Sequence, residues 1–192
     1  DVTINGGTYT GTAAVYQTDV QGTGSENVKV NVNNGKFNGT VVGETANKLS
    51  ITGGTFSSDV SAYVADGYIL NNGTVEKLGE TNAVAKIGGT YYKTLADAVK
   101  AVKDNETITL LKDVTLSGDL AINNGKIFTI DLNGKTLGGA DLFINGSAFV
   151  TATNGTITGD VWLKTTDTDA AYNSFTLAED AKIDTAGYGI VV

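Results

Sequence analysis

From Phe128 to Leu163 the chain reads FTIDLNGKTLGGADLFINGSAFVTATNGTITGDVWL, and this stretch carries the same short pattern twice. In each half an alternating apolar and polar run meets an Asn-Gly turn. A second alternating run follows, and a Gly-Asp or Ala-Asp corner leads into a third short apolar run. Working outward, the alignment places Leu116, Leu137, Ile157 and Ile183 in one column, at spacings of 21, 20 and 26 residues. A strand-built repeat of this length indicates a solenoid. The expected fold is all-β: a right-handed parallel β-helix whose coils are three short strands joined by corners. The expected inward positions are Ile108, Leu110, Val114, Leu116, Leu120, Ile122, Phe128, Ile130, Leu132, Leu137, Leu142, Ile144, Ile157, Val161 and Leu163, from period-2 alternation.

Composition agrees with this reading and narrows function. Among 192 residues, Gly 25 beside Pro 0 describes many tight corners in a chain whose backbone donors are all available to ladders. Abundant Thr, Val, Ile and Asn favours strands and turns. A net charge of −8 argues against a nucleic-acid partner, and all 13 cations are Lys, so no guanidinium fork for phosphate exists. Cys 0 and His 0 exclude disulfides, thiolate metal sites, cysteine nucleophiles and the commonest general base. No apolar run is long enough to span a bilayer, and no membrane insertion or cofactor is expected. The sequence opens without Met or a signal-peptide pattern, and the last coil, FTLAEDAKIDTAGYGIVV, stops on an apolar run; a longer natural polypeptide, of which this is a monomeric segment, is the expectation.

The segment before the central stretch repeats the theme in another register. VTINGGTYTG, VKVNVNNGKFNG and LSITGGTFSS place Tyr9, Phe37 and Phe56 in one column, expected to be a buried aromatic stack. Over Ser58–Asp66, SDVSAYVAD suggests a single helical turn capped by Ser57 or Ser58, with Val60, Tyr63 and Val64 at helical spacing, closing the end of the first solenoid. Asn72-Gly73 predicts a type I′ hairpin over Tyr68–Leu78, and Gly79–Asn82 is a polar break. AVAKIGGTYY predicts a second extended pair turning at Gly88-Gly89. Thr94 then caps a helix whose apolar stripe is Leu95, Ala98, Val99 and Val102. The expected organisation is 1–66 as the last coils of one module with an end cap, 67–92 as a hairpin connector, and 93–192 as a capping helix and the first coils of a second module.

The block Val84–Asp113, VAKIGGTYYKTLADAVKAVKDNETITLLKD, resembles a unit of large repetitive surface proteins of Gram-positive gut anaerobes, in which an IGxxYY-like hairpin and a TLxDAVxAV-like helix introduce a parallel β-helix. Ile51–Val75, ITGGTFSSDVSAYVADGYILNNGTV, is similar to the way such coils end before the next unit. The resemblance implies an exported, wall-attached, adhesin-like parent whose modules serve as stalks or adhesive surfaces, sometimes toward host glycans or immunoglobulins. It implies no catalytic residues.

Two sets of side chains are candidate sites. Phe143 and Trp162, the single tryptophan, fall on the outward position of the third strand in successive coils, so they should stand side by side about 4.8 Å apart. They would offer a platform for a sugar ring or a protein hot spot, unless a loop over 164–173 folds onto them as a satellite core. Asp119, Asp141 and Asp160 occupy the corner before that strand. They could hold Ca²⁺ or, as corner Asp residues commonly do, bond local backbone N–H groups. Thr8 with Thr10 and Thr156 with Thr158 resemble the Thr arrays of ice-binding solenoids, but Lys36 and Asn38 or Thr115 and Ser117 in neighbouring coils lead to the expectation that no flat array accumulates. Some β-helices cleave polysaccharides with paired carboxylates, and a fragment of such an enzyme is the remaining alternative to a non-catalytic surface module.

Overall fold

The computed structural model describes residues 1–19, 28–164 and 172–192. The chain forms two compact units, Asp1–Leu78 and Gly79–Val192. Each is a parallel β-solenoid.

In the first unit β1 (Val2–Gln17) runs parallel to β2 (Val30–Gly43), and β2 in turn pairs in parallel with β3 (Leu49–Ile51) and β4 (Gly54–Phe56). Alternation sends every second side chain inward, so equivalent residues of successive coils meet. Tyr9 pairs with Phe37 and Phe37 with Phe56, their rings stacked at 5.0 and 4.7 Å with planes 6° apart. Gly54, at φ +110°, lets this corner pass close to the coil before it: a Cβ there would sit 2.9 Å from the Gly35 carbonyl oxygen and 3.3 Å from the Phe37 ring.

The helical turn expected at the end of this unit is present, without the expected Ser57 or Ser58 cap. A 3-10 turn, Ser61–Tyr63, has no side-chain cap. Ser57 Oγ instead accepts from Gly39 N at 2.9 Å and Ser58 Oγ donates to the Gly39 carbonyl at 3.0 Å, because the β2–β4 ladder has stopped and the Gly39 peptide needs partners. Asp59 takes over the turn by accepting from Ser61 N at 2.9 Å. Val60 is fully buried, and the chain returns parallel to β3 through an Ile51–Val64 bridge. The hairpin of β5 (Tyr68–Asn71) and β6 (Thr74–Lys77) turns at Asn72 (φ 47°) and Gly73 (φ 79°), the two left-handed residues of a type I′ turn. Strand β6 pairs antiparallel with β4, occupying an edge that would otherwise be free.

The second unit begins with a hairpin, β7 (Ala85–Ile87) and β8 (Thr90–Tyr92), then helix α1 (Leu95–Ala101). Thr94 caps the helix, its Oγ1 accepting from Asp97 N at 3.0 Å, while Leu95, Ala98, Val99 and Val102 are buried. Thr94→Ala is expected to cost about 1 kcal/mol of stability. Denaturant unfolding would check this, and an unchanged midpoint would mean that the cap contributes nothing.

Four coils follow. They are β9 (Thr107–Leu110), β10 (Val114–Thr115) and β11 (Leu120–Ile122); β12 (Ile127–Asp131), β13 (Thr136–Gly138) and β14 (Leu142–Ile144); β15 (Phe149–Thr153), β16 (Gly155–Ile157) and β17 (Val161–Leu163); and β18 (Ser174–Leu177), β19 (Ala181–Ile183) and β20 (Ile190–Val191). First, second and third strands stack into three separate parallel sheets, and β7 adds antiparallel to β9. Leu137, Ile157 and Ile183 form one inward column. The expected place of Leu116 in it is corrected. Val114 is the residue opposite Leu137, and Leu116 N bonds the Gly138 carbonyl at 2.7 Å. A two-residue slip keeps the same face inward, so alternation alone cannot distinguish the two registers. Val114, Leu116 and Leu163 are half-buried, whereas the other expected inward positions are fully buried.

Candidate functional site

The third sheet of the second unit, β11–β14–β17–β20, has three-residue strands or shorter, so each contributes one outward side chain between inward neighbours. Register puts Ala121, Phe143, Trp162 and Val191 in one outward file. Phe143 and Trp162 are brought together, stacked at 5.8 Å with planes 11° apart, and both are half-buried. Tyr188, 81% exposed, lies edge-on to Trp162 at 6.2 Å. Lys164 Nζ sits 4.6 Å from the centre of the Phe143 ring, a cation–π contact. The loop considered as a cover for this pair falls largely on 165–171, outside the described residues.

Beside this file runs the line of corner aspartates. Asp119 Oδ1 accepts from Asp141 N at 3.1 Å, and Asp141 Oδ1 accepts from Asp160 N at 2.9 Å. Asp160 accepts from Tyr188 N and Gly189 N, both at 3.0 Å, and from the Thr185 hydroxyl at 2.9 Å. Each carboxylate thus bonds the next coil's backbone where the chain turns and the strand ladder is interrupted. Asp141 Oδ2 also accepts from Trp162 Nε1 at 3.0 Å, which orients the indole. Among the described residues, no three acidic side chains converge in a geometry that could hold a metal ion. The corner line and the aromatic file meet at Asp141, which bonds the next corner and orients the Trp162 ring.

Backbone N–H groups of Tyr188 and Gly189, joined by the Thr185 hydroxyl, hold the Asp160 carboxyl below its ordinary value of 3.8. The folded-state value lies below the unfolded one, so the stability contributed is present above the unfolded value and is lost as pH falls through the folded one. Acidification below 3.8 is expected to release the last coil, with loss of hydrogen-exchange protection at Tyr188 and Gly189. Asp160→Asn should remove that part of the acid dependence. Identical acid profiles in the two proteins would contradict the assignment.

Two features escaped the sequence reading. Thr107, Thr129, Thr151 and Thr176 form a rank on the outer face of β9–β12–β15–β18, while Thr8 and Thr10 meet Lys36 and Asn38 as expected, so no flat Thr array builds there. The rank is one residue wide: the neighbouring rank is broken by Asp131, and Ile127 and Phe149 are exposed on its other side. The TIT, TID and TAT segments that build it were visible, but only register shows them aligned. In the first unit Asp19 pairs with Lys48 at 2.7 Å and accepts from the Thr45 hydroxyl, and the Tyr16 and Thr18 hydroxyls donate to Glu44. No spacing in the sequence signals this cluster.

Comparison of the chain with protein-family models, with curated proteins and with solved structures finds no match. Among the described residues no helix is long and apolar enough to cross a membrane.

Proposed function

We propose that this chain is a non-catalytic β-helical module of a bacterial cell-surface protein, serving as spacer and adhesive surface. The observation that carries this reading is the stacking of parallel coils in both units, an architecture that grows by repetition and presents its faces for contact. The resemblance of Ile51–Asp113 to the units of repetitive surface proteins of Gram-positive gut anaerobes supports an extracellular, wall-attached parent. A second reading, specific binding of a host glycan or of a host protein such as immunoglobulin, is favoured by the outward Phe143 and Trp162 pair.

A binding screen of the immobilised chain against glycans and serum proteins, with Trp162→Ala alongside, separates the two. A pure spacer predicts no saturable binding by either protein. The binder predicts saturable binding that Trp162→Ala removes. Antibodies to the chain should label intact producing cells, and labelling only after lysis would contradict the surface assignment. Turnover of a polysaccharide by the protein would contradict its being non-catalytic.

A further inference from the structure

We infer that the outward file Ala121–Phe143–Trp162–Val191 is a binding subsite for a neutral, extended glycan chain lying across the coils. This rests on the second reading above and names its ligand class.

The apolar character of the file is selective. The outward rank on the first sheet of the same unit is Thr107, Thr129, Thr151 and Thr176, and on the second sheet Thr136, Thr156 and Lys182 stand in line. Among the described residues the third sheet turns four apolar residues outward in consecutive coils, against the pair Ile127 and Phe149 on the first sheet, and exposed Tyr188 stands edge-on beside Trp162. Phe143 and Trp162 stand 5.8 Å apart, wider than the 4.7 and 5.0 Å of the buried aromatic stack, and both remain half-exposed on the outer face of the sheet.

Width and borders select the occupant. A stable protein interface takes about 800 Å² and roughly 20–30 residues from each partner, whereas this file is a single residue wide. A sugar chain has the complementary form: apolar C–H faces in single file, with hydroxyls to either side. Coils advance by about 4.8 Å, so successive file residues can meet successive parts of one extended chain. Acceptors are in place in the corner line. Asp119 is exposed, and each Asp141 oxygen holds one bond and keeps a lone pair. Lys164 supplies a donor at the Phe143 ring. Hydroxyls both donate and accept, so they satisfy both borders.

Charge decides against acidic sugars. Asp119 and Asp141 lie on one border, with the buried Asp160 behind them, and the chain carries a net charge of −8, so a uronate or sulfate would meet repulsion that Lys164 only partly offsets.

Trp162 is the only tryptophan, so its fluorescence reports the file directly. The full chain is titrated with neutral hexasaccharides of β-linked glucose, xylose and mannose, and with hexagalacturonate. A neutral hexasaccharide should shift Trp162 emission saturably and hexagalacturonate should not. Phe143→Ala should weaken the response about three- to tenfold. So should Ala121→Glu, an exposed change that leaves the ring stack intact, while Thr151→Ala on the other face should not alter it. An equal or stronger response to hexagalacturonate overturns the inference, as does a neutral-sugar response that Ala121→Glu leaves untouched. Immunoglobulin binding that Trp162→Ala abolishes, with no neutral sugar shifting the emission, overturns the ligand class and leaves the second reading standing. No saturable binding of any sugar or serum protein overturns both.

Discussion

Phe37→Ala is expected to destabilise the first unit by about 3–5 kcal/mol, the cost of emptying a buried aromatic site that cannot collapse. Phe37 is fully buried and stacked on both faces, against Tyr9 and Phe56, so its removal also strips two ring contacts of about 0.5–1.5 kcal/mol each within that total. Relaxation is limited because the coils are tied by their backbone ladders: the β1–β2 pairing and the β2–β4 pairing both run through this residue. Denaturant unfolding, with hydrogen exchange of the amides in β1–β4, is the measurement. A change below about 1 kcal/mol would mean that Phe37 is not a core residue between two coils.

The second large effect comes from adding one carbon. Gly159 precedes the corner Asp160, and a Cβ there would collide with the carbonyl of Ala140, the equivalent residue of the coil before, with the carbonyl carbon 2.9 Å and the Asp141 Cα 3.3 Å away. These are backbone atoms, so the corner must open for the methyl to fit. Gly159→Ala should therefore destabilise the second unit by about 3 kcal/mol or more and loosen the Phe143–Trp162 stack, whose indole Asp141 orients. Gly118 holds the same corner in the first coil and has nothing within 4 Å of its added Cβ. Gly118→Ala should change stability by no more than about 0.5 kcal/mol. Paired unfolding curves check the contrast, and two equal effects would show that the corners do not stack.

Much of this architecture is legible in the sequence, for a physical reason. Inward positions follow from alternation, and Leu137, Ile157 and Ile183 or Tyr9, Phe37 and Phe56 recur because each coil must present an apolar residue at the same height. The aromatic file was legible for the same reason: Phe143 and Trp162 are each the middle residue of an apolar triplet. Register within a coil is less legible. Val114 and Leu116 are both apolar and two apart, and only the close passage of the Gly138-Gly139 corner against the Leu116 backbone settles which one faces Leu137. Side chains that bond across coils are also hidden. Ser57 and Ser58 read as helix caps from local spacing, yet they serve the Gly39 peptide, and the Asp119–Asp141–Asp160 line binds amides about twenty residues or more along the chain. Tyr188 joins Trp162 only because the last coil returns beside β17.

The central claim is that strands of successive coils lie side by side, parallel and in this register. The chain has Cys 0, so a cysteine pair placed in it reports on itself alone. Thr129 and Thr151 are direct partners on β12 and β15, at the interstrand spacing of about 4.8 Å that a disulfide can bridge. Thr153 lies two residues further along β15, on the same face but out of reach of Thr129. Thr129→Cys with Thr151→Cys should close to an intramolecular disulfide under mild oxidation, while Thr129→Cys with Thr153→Cys should stay reduced. Failure of the first pair to close, or closure of the second as readily as the first, would contradict the stacked coils.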